Sequence, residues 1–538
     1  MDREGSPEED YGVGYIQDDH PLRSSDAQMT LLQIPGGGKG MARGSLSSSV
    51  TDLNAPIYAR QTAGRQHGFN GRLAFAITAA ALGSSFQHGY NTGVVNAPQK
   101  LIEGWIRTVA HNRTGEVVDQ SHVTMIWAIA VAIFCVGGML GGCITGFVAE
   151  RFGRKGGLLL NNVLVAAAAV LMGCAKAASS YEMIIAGRFL IGINSGLNAG
   201  LAPMYLAEIS PVHLRGAVGT VYQLVITISI LISQVLGLES VLGTETAWPV
   251  LLAITAVPAV FQLATLPLCP ESPKYIMSNQ GKELEAQRAL TWLRGSIEVH
   301  DEIDEMKSEV EASRLVPKVT LREMFLNPAL RIPLIISSML MIAQQLSGIN
   351  AVMFFSTKIF KMAQLTEEHA QYATLGMGSM NVVMTVVSLV LVERAGRKTL
   401  LLVGFIGMSF VTFFLSISLA YVEGAGLWLS YVSILLVIAF VVLFATGPGS
   451  IPWFMVSELF NQSARPAATS FAVAVNWTAN FVVGLAFLPL QELMGGYVFI
   501  IFTLFLILFV LFIWKKVPET KNKTMEEITT MFRQRSYQ

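Results

Sequence analysis

Residues 496–514 read GYVFIIFTLFLILFVLFIW, nineteen residues without one charged side chain. As an α-helix rising about 1.5 Å per residue, this stretch would cover about 28 Å, close to the hydrocarbon thickness of a bilayer. The whole chain of 538 residues is 52% hydrophobic and 14% charged, against the roughly 25% charge of soluble proteins. We therefore predict an all-α membrane protein with twelve transmembrane helices, from apolar runs at about 72–95, 123–149, 156–175, 183–207, 217–238, 247–268, 332–357, 370–392, 399–421, 427–456, 467–490 and 496–514.

The charge balance and the cysteine content exclude several classes of protein. Thirty-seven Lys and Arg balance thirty-seven Asp and Glu, so we expect no basic surface that would bind nucleic acid. The four cysteines lie in or beside apolar runs, where a thiol behaves as a small hydrophobic group, and we expect no disulfide framework. No metal-ligand spacing and no nucleophile motif stands in a suitable local pattern. These observations argue against an enzyme, a cofactor and a metal.

The distribution of positive charge predicts the orientation of the chain. An even number of spans places both termini on one side, and the loops of that side carry thirty Lys and Arg against six on the other. Because cytoplasmic loops hold the excess of positive charge, both termini are expected in the cytoplasm. Asn112, in an Asn-Arg-Thr sequon, then falls in an outside loop and is a candidate glycosylation site.

The predicted regions are a disordered tail at 1–71, a six-helix bundle at 72–270, a helical cytoplasmic linker at 271–331, a second bundle at 332–516 and a cytoplasmic tail at 517–538.

Short charged motifs occur twice at matching positions in the two bundles. Gly153-Arg154-Lys155 returns 243 residues later as Gly396-Arg397-Lys398, and Pro270-Glu271-Ser272 returns 248 residues later as Pro518-Glu519-Thr520. Glu208 and Arg215 have counterparts 250 residues on. Such matched repeats indicate two pseudo-symmetric copies, the arrangement of carriers that rock two bundles around a midplane site.

The sequence resembles the facilitative glucose transporters, in the sugar porter branch of the major facilitator superfamily, over about residues 70–530. The resemblance implies the major facilitator fold and binding of a hexose at the midplane by alternating access, without a cofactor. The motifs that carry it are Gln87 to Asn91 (QHGYN), Arg151 to Lys155 (RFGRK), Pro270 to Pro273 (PESP), Gln344 to Asn350 (QQLSGIN), Glu393 to Lys398 (ERAGRK), Gly447 to Gly449 (GPG), Asn476-Trp477 and Val517 to Lys521 (VPETK).

Uncharged amide side chains suit a hexose, because each offers a donor and an acceptor without a counterion. Gln345 and Asn350 would point apart on an ideal helix, but Ser347-Gly348 between them can interrupt the helix and let both converge. Asn476 and Asn480 share one helix face. On the residues alone these amides could equally be hydrogen bonds between helices. The resemblance implies a substrate site that includes Gln223, Gln344, Gln345, Asn350, Asn381, Trp453 and Asn476, and the helix that holds Asn476 adds Trp477 and Asn480.

The charged residues at the predicted cytoplasmic ends have two interpretations. They could serve only as orientation anchors. The resemblance implies instead a salt-bridge lattice across the two halves that closes the cytoplasmic end in the outward-facing state. This candidate gate comprises Glu150, Arg151, Arg154, Glu208, Arg215, Glu393, Arg394, Arg397, Glu458 and Arg465.

The first apolar run favours uniport over proton coupling. The proton-coupled relatives of this family carry a carboxylate where Asn91 stands, whereas residues 73–95 contain no Asp or Glu. The predicted function is facilitative transport of glucose, fructose or both across the plasma membrane. Alternatives are a proton-coupled sugar symporter, a carrier of another polyol or of a urate-like solute, and a non-transporting sugar sensor. Met341 to Ala343 and Ala445 depart from the glucose carriers' pattern, so the sequence leaves the preferred hexose open, as it does the oligomeric state.

Overall fold

A computed structural model describes residues 68–211, 214–315, 317–461, 464–523 and 525–538, and their regular structure is helical. The tail predicted at 1–71 lies outside the described residues, apart from its last four. The described residues belong to one compact unit. We call the end of the bundle that holds Asn70 and Val517 the termini end, and the opposite end the far end.

The first half of the chain contains six membrane-crossing segments and one further helix. At the termini end, the Asn70 side chain caps α1 by accepting hydrogen bonds from the backbone N–H groups of Arg72 and Leu73. The sixth segment is broken at Ile254 and Thr255. The helices are α1 (Gly71–Gly93), α2 (Gln99–Thr114), α3 (Gln120–Phe152), α4 (Arg154–Cys174), α5 (Tyr181–Ile209), α6 (Arg215–Leu236), α7 (Trp248–Ala253) and α8 (Ala256–Thr265).

The helix α2 at the far end is absent from the sequence prediction. It buries Ile102, Ile106 and Val109 on one face and exposes polar residues on the other. Its apolar residues are too few and too spaced to form a continuous run, which is why a search for apolar runs misses it.

Short helices join the two halves, as the sequence predicts. They are α9 (Pro273–Asn279), α10 (Glu283–Arg294), α11 (His300–Leu315) and α12 (Leu321–Leu326). The second half follows with α13 (Pro328–Leu346), α14 (Ile349–Met362), α15 (Glu367–Ala395), α16 (Arg397–Ala425), α17 (Leu427–Thr446), α18 (Ile451–Leu459), α19 (Arg465–Met494) and α20 (Val498–Lys516), and the last helix is α21 (Met525–Arg535).

The prediction of twelve transmembrane helices in the major facilitator arrangement is confirmed. Within the described residues, nine stretches are long and apolar enough to cross a membrane, and one of them, Ala467–Lys516, contains both α19 and α20. The remaining two spans are α1, which is diluted by polar side chains, and α6, whose stretch Val221–Leu236 is apolar but shorter than the other nine. Gln87 and Asn91 lie within α1, and Gln223 and Gln234 within α6.

Glycine allows the two helices α3 and α5 of the first half to approach closely. A Cβ atom at Gly192 or Gly196 would overlap the backbone of α3, and one at Gly137 or Gly141 would overlap the backbone of α5. Small residues spaced four apart are the usual means of close helix packing in a bilayer.

The two halves meet along two seams that are equivalent in the repeat. One seam is formed by α3 and α19, and the other by α6 and α15. The pairing is consistent with pseudo-symmetry, because α3 corresponds to α15 and α6 corresponds to α19.

Candidate functional site

The seventh span is broken where the sequence predicts an interruption. Helix α13 ends at Leu346 and α14 begins at Ile349. Gly348 has a φ angle of 96°, and a Cβ atom there would lie 2.9 Å from the ring of Phe502. Only glycine combines this left-handed backbone with the available space. The break turns the side chains on either side of it toward one another.

Four predicted amides form one hydrogen-bonded cluster at this break. Asn350 donates through Nδ2 to the Oε1 atom of Gln345. Gln345 donates to Asn476 Oδ1 at 3.2 Å, and Asn476 donates to Gln344 Oε1 at 2.8 Å. Asn350 thus joins α14 to α13 and, through Gln345, to α19. We call these four residues the amide cluster.

A second broken helix completes the cluster. Between α17 and α18 the chain leaves the helix at Gly447, and the carbonyl groups of Pro448 and Gly449 become available as acceptors. Gln344 donates through Nε2 to both carbonyl oxygens, at 3.0 and 2.9 Å. Backbone groups freed by a helix break inside a membrane protein require such partners. The sequence predicts Gln344 as a site residue but gives no sign of these carbonyl partners.

The other predicted site residues lie on helices near the cluster but do not join it. Gln223 on α6 and Trp453 on α18 are half-buried, and Asn381 on α15 is buried. Asn480 is buried on α19, and its Oδ1 atom has no hydrogen-bond partner among the described residues. Their roles in binding stay predictions.

Trp477 occupies the seam between α3 and α19. Its ring lies 5.3 Å from that of His88 and 5.7 Å from that of Phe134, both in the first half. Its exposed fraction is only 1%. In this conformation Trp477 therefore packs between the halves, and its predicted contact with a sugar ring would require the seam to rearrange.

Sequence reasoning missed one contact of the cluster. Met341, noted in the sequence only as a departure from the glucose carriers, places its Sδ atom 3.5 Å from Asn476 Nδ2. A methionine in an apolar run carries no pattern that would distinguish this role from core packing.

At the termini end, the repeated charged motifs form matching structures in the two halves. Arg154 pairs with Glu208 at 3.0 Å, and Arg397 pairs with Glu458 at 2.9 Å. These pairs lie within one half each. In this conformation they therefore do not connect the halves as the predicted lattice would.

Two further carboxylates of the repeat bind helix N-termini. Glu271 accepts hydrogen bonds from the backbone N–H groups of Lys155 and Gly156, at the start of α4. Glu519 accepts them from Arg397 and Lys398, at the start of α16. A carboxylate at this position satisfies free N–H groups and interacts favourably with the helix dipole.

The remaining candidate gate residues have varied surroundings. Glu150 lies 3.5 Å from Lys318 in the linker, and both side chains are exposed. Arg151 and Arg394 are exposed, and Arg465 donates to the Phe460 carbonyl at 3.0 Å. The side chains of Arg215 and Glu393 lie outside the described part of the structure.

The far end is closed by hydrogen bonds between the halves. Asn96, after α1, accepts from the Thr357 backbone N–H at 2.9 Å and donates to Ser356. Thr124 donates to Glu492 at 2.9 Å across the seam of α3 and α19. The Glu239 backbone N–H donates to Gln371 at 3.2 Å across the other seam. This conformation is thus held shut on the side opposite the termini.

The buried Arg188 of α5 is held by backbone carbonyl groups. It donates to the carbonyl oxygens of Asn91 at 2.6 Å, Ala130 at 3.3 Å and Val131 at 3.4 Å, and its guanidinium lies 4.6 Å from the ring of Phe134. A charge in hydrocarbon requires such partners. Asn91 is neutral and donates to Thr255 Oγ1 at 3.0 Å.

Two broken helices, a neutral amide cluster and two seams between matched halves define a membrane carrier of the major facilitator class. The structure matches the partially occluded inward-open xylose transporter XylE from E. coli with a TM-score of 0.71 and 27% identity, over 85% of this chain and 100% of that one. It also matches the XylE proton:xylose symporter bound to 6-bromo-6-deoxy-D-glucose, with a TM-score of 0.70 and 26% identity, over 86% and 99% of the two chains.

The sequence places the chain more narrowly within this class. The model of the family described as "Sugar (and other) transporter" matches residues 76–532. A facilitated glucose transporter, member 1 of solute carrier family 2 from Gallus gallus, is 47% identical over 463 residues, which cover 86% of this chain and 94% of that protein. Facilitated glucose transporter protein 1 of Caenorhabditis elegans is 48% identical over 466 residues, covering 86% and 90%. The chain belongs to this sugar transporter family.

Proposed function

We propose that this protein is a facilitative hexose carrier that moves glucose, fructose or both down their concentration gradients by alternating access. The observation that carries the proposal is the amide cluster, a set of uncharged donors and acceptors at two broken helices. The names of the relatives, which are facilitated glucose transporters, support the same substrate class.

The cluster can exchange its internal hydrogen bonds for bonds to a sugar. Gln345 and Asn350 bond to each other at the helix break. A hexose hydroxyl can accept from one amide and donate to the other, since each hydroxyl does both. Such an exchange replaces the hydration shell of the sugar without separating charge, which suits a reversible carrier.

The surroundings of Asn91 support uniport. A proton-coupled mechanism needs a group that gains and loses a proton during the cycle, and α1 contains no Asp or Glu, while its His88 packs against the ring of Trp477. Arg188 contacts the carbonyl oxygen of Asn91, and the Asn91 side chain is held by Thr255. A neutral amide in this position gives Arg188 no proton-dependent partner. The alternative of proton coupling rests on the similarity to XylE, which is named a proton:xylose symporter. That similarity is more distant, at 26% to 27% identity.

We further propose that the protein lies in the plasma membrane with both termini in the cytoplasm. We also propose that the conformation in this structure is inward-facing. The excess of Lys and Arg at the termini end supports the orientation. The hydrogen bonds that close the far end support the inward-facing state.

The function can be tested with purified protein in lipid vesicles. We expect saturable uptake of labelled glucose, labelled fructose or both, until the inside and outside concentrations are equal. Protein-free vesicles give the background. Uptake of a polyol or urate, with neither hexose transported, would favour the alternative carriers, and no uptake of any of these solutes would favour a sensor.

Arg397→Ala tests the role of the charged pairs at the termini end. We expect slower turnover and a several-fold weakening of ligands that bind from outside, with ligands from the cytoplasmic side spared. The reason is that salt bridges at the termini end, each worth about 1 kcal/mol, would stabilise the outward-facing state more than the inward-facing one. Binding is measured separately from each side on surface-expressed protein. An equal effect from both sides, or normal kinetics with poor insertion, would reject the gate and favour an orientation anchor.

Asn112 offers a direct test of orientation. It is exposed in the last turn of α2, at the far end. Expressed in animal cells, the protein should lose mass on treatment with a glycosidase specific for N-linked glycans, and Asn112→Gln should run at the deglycosylated mass. A glycan that persists in Asn112→Gln would show that another sequon is used.

A further inference from the structure

Gln234 lies in the seam between α6 and α15 and is part of neither the amide cluster nor the charged pairs. Only 3% of the residue is exposed. Its Oε1 atom lies so close to Gly378 of α15 that a Cβ atom at residue 378 would overlap it. The amide of Gln234 thus crosses from one half of the carrier to the backbone of the other, between Gln223 and the far end.

Both polar atoms of this amide are buried without a partner. Neither Nε2 nor Oε1 has a hydrogen-bond partner among the described residues. The neighbouring polar groups of the closed far end do have partners, since the Glu239 N–H donates to Gln371 and Asn96 bonds to Ser356 and Thr357. Among these groups at the far end, the amide of Gln234 is therefore the one that lacks a hydrogen-bond partner.

An unpaired buried amide raises the free energy of the conformation that buries it. When the seam of α6 and α15 parts at the far end, the amide can bond to water. The hydrogen bonds of Glu239 and Asn96 favour the closed far end, and Gln234 opposes them. A carrier needs both contributions, because a conformation that is too stable would slow the return step of the cycle.

We infer that Gln234 destabilises the conformation with the closed far end and so sets the balance between the inward-facing and outward-facing conformations of the carrier. Its position against Gly378 is consistent with this role, because α15 comes close enough to bury the amide but offers it no partner.

Gln234→Met tests the inference, since methionine keeps the length of the side chain and removes both polar atoms. Two spin labels report the far-end distance, one at Val117 in the first half and one at Leu427 in the second, whose exposed fractions are 90% and 74%. The exposed Cys143 and Cys174 are replaced by serine in every sample. We expect the ratio of short to long distances to rise about fivefold or more, as an unpaired buried group implies.

Gln262→Met is the matched control. Gln262 is equally buried, but its amide is fully bonded inside the first half, to Asn162 and to the carbonyl oxygens of Ala79 and Ala80. We expect this variant to melt at a lower temperature and to keep the distance distribution of the parent protein. The distances are measured without sugar, so the result is independent of the proposed substrate.

Two results would overturn the inference. One is an unchanged distance distribution in a folded Gln234→Met protein, which would make Gln234 a packing residue. The other is a shift toward long distances, which would mean that the amide stabilises the closed far end. If Gln234→Met fails to fold, Gln234→Leu is measured in the same way, and the same two outcomes apply.

Discussion

Asn350→Ala is expected to lower the affinity for hexose by about fivefold to a hundredfold, the range that follows when a buried hydrogen-bonding group is lost. The change removes the donor to Gln345 Oε1 and leaves that oxygen unpaired at the helix break. Equilibrium binding of labelled sugar to purified protein measures the effect.

Asn161→Ala provides the comparison, because Asn161 is a hydrogen-bonded amide that lies buried within the first half. It donates to the Asn194 carbonyl at 3.0 Å and to Asn198 Oδ1 at 2.9 Å. We expect this variant to lose thermal stability and to keep its sugar affinity. If Asn350→Ala behaves like Asn161→Ala, the amide cluster serves helix packing and does not bind sugar.

Gly192→Ala is expected to remove most of the folded protein. A methyl group at residue 192 would overlap the carbonyl group of Phe134, and neither backbone can move without separating α3 from α5. Overpacking of a close contact costs typically about 1–3 kcal/mol and more where backbone is involved. Size-exclusion chromatography of a fluorescent fusion measures the folded fraction.

Gly376→Ala is the matched control for this change. Gly376 lies in α15, and a Cβ atom there would have no neighbour within 4 Å. Alanine in a helix is favoured over glycine by about 1 kcal/mol, so the folded fraction should be unchanged or higher. A monodisperse Gly192→Ala protein with an unchanged melting temperature would show that α3 and α5 pack less tightly than the structure indicates.

The parts of the fold that depend on long patterns could be predicted from the sequence. The membrane helices follow from continuous apolar runs, and the matched halves follow from motifs such as Gly153 to Lys155 and Gly396 to Lys398. The break at Gly348 was also predictable, since Ser-Gly within an apolar run permits a left-handed residue. Helix α2 does not appear among the apolar runs, because its apolar residues occupy one face and form no continuous run.

The contacts that depend on three-dimensional packing could not be predicted. The sequence favours Gln345 and Asn350 as neighbours, but it does not show that Gln344 binds the carbonyl groups of Pro448 and Gly449 in the break between α17 and α18. Nor does it show that Trp477 packs against His88 across a seam. A periodicity identifies the face of a helix but not the residue that meets it from another helix.

The sequence likewise did not show that each of these charges pairs within its own half. Repetition indicates that Arg154 and Arg397 have equivalent roles, and the structure pairs each with a glutamate of its own half. Whether a lattice forms across the halves depends on the conformation of the carrier, and this structure represents the one with the far end closed.

Hexose is expected to cross the membrane passively, without a coupled proton. Vesicles containing the purified protein are loaded at alkaline pH, diluted into acidic buffer with labelled sugar, and sampled until uptake stops. We expect the internal sugar concentration to reach the external one and no more, with the same end point when the pH is equal on both sides. Accumulation above the external concentration, abolished by a protonophore, would contradict passive transport and identify a proton-coupled carrier.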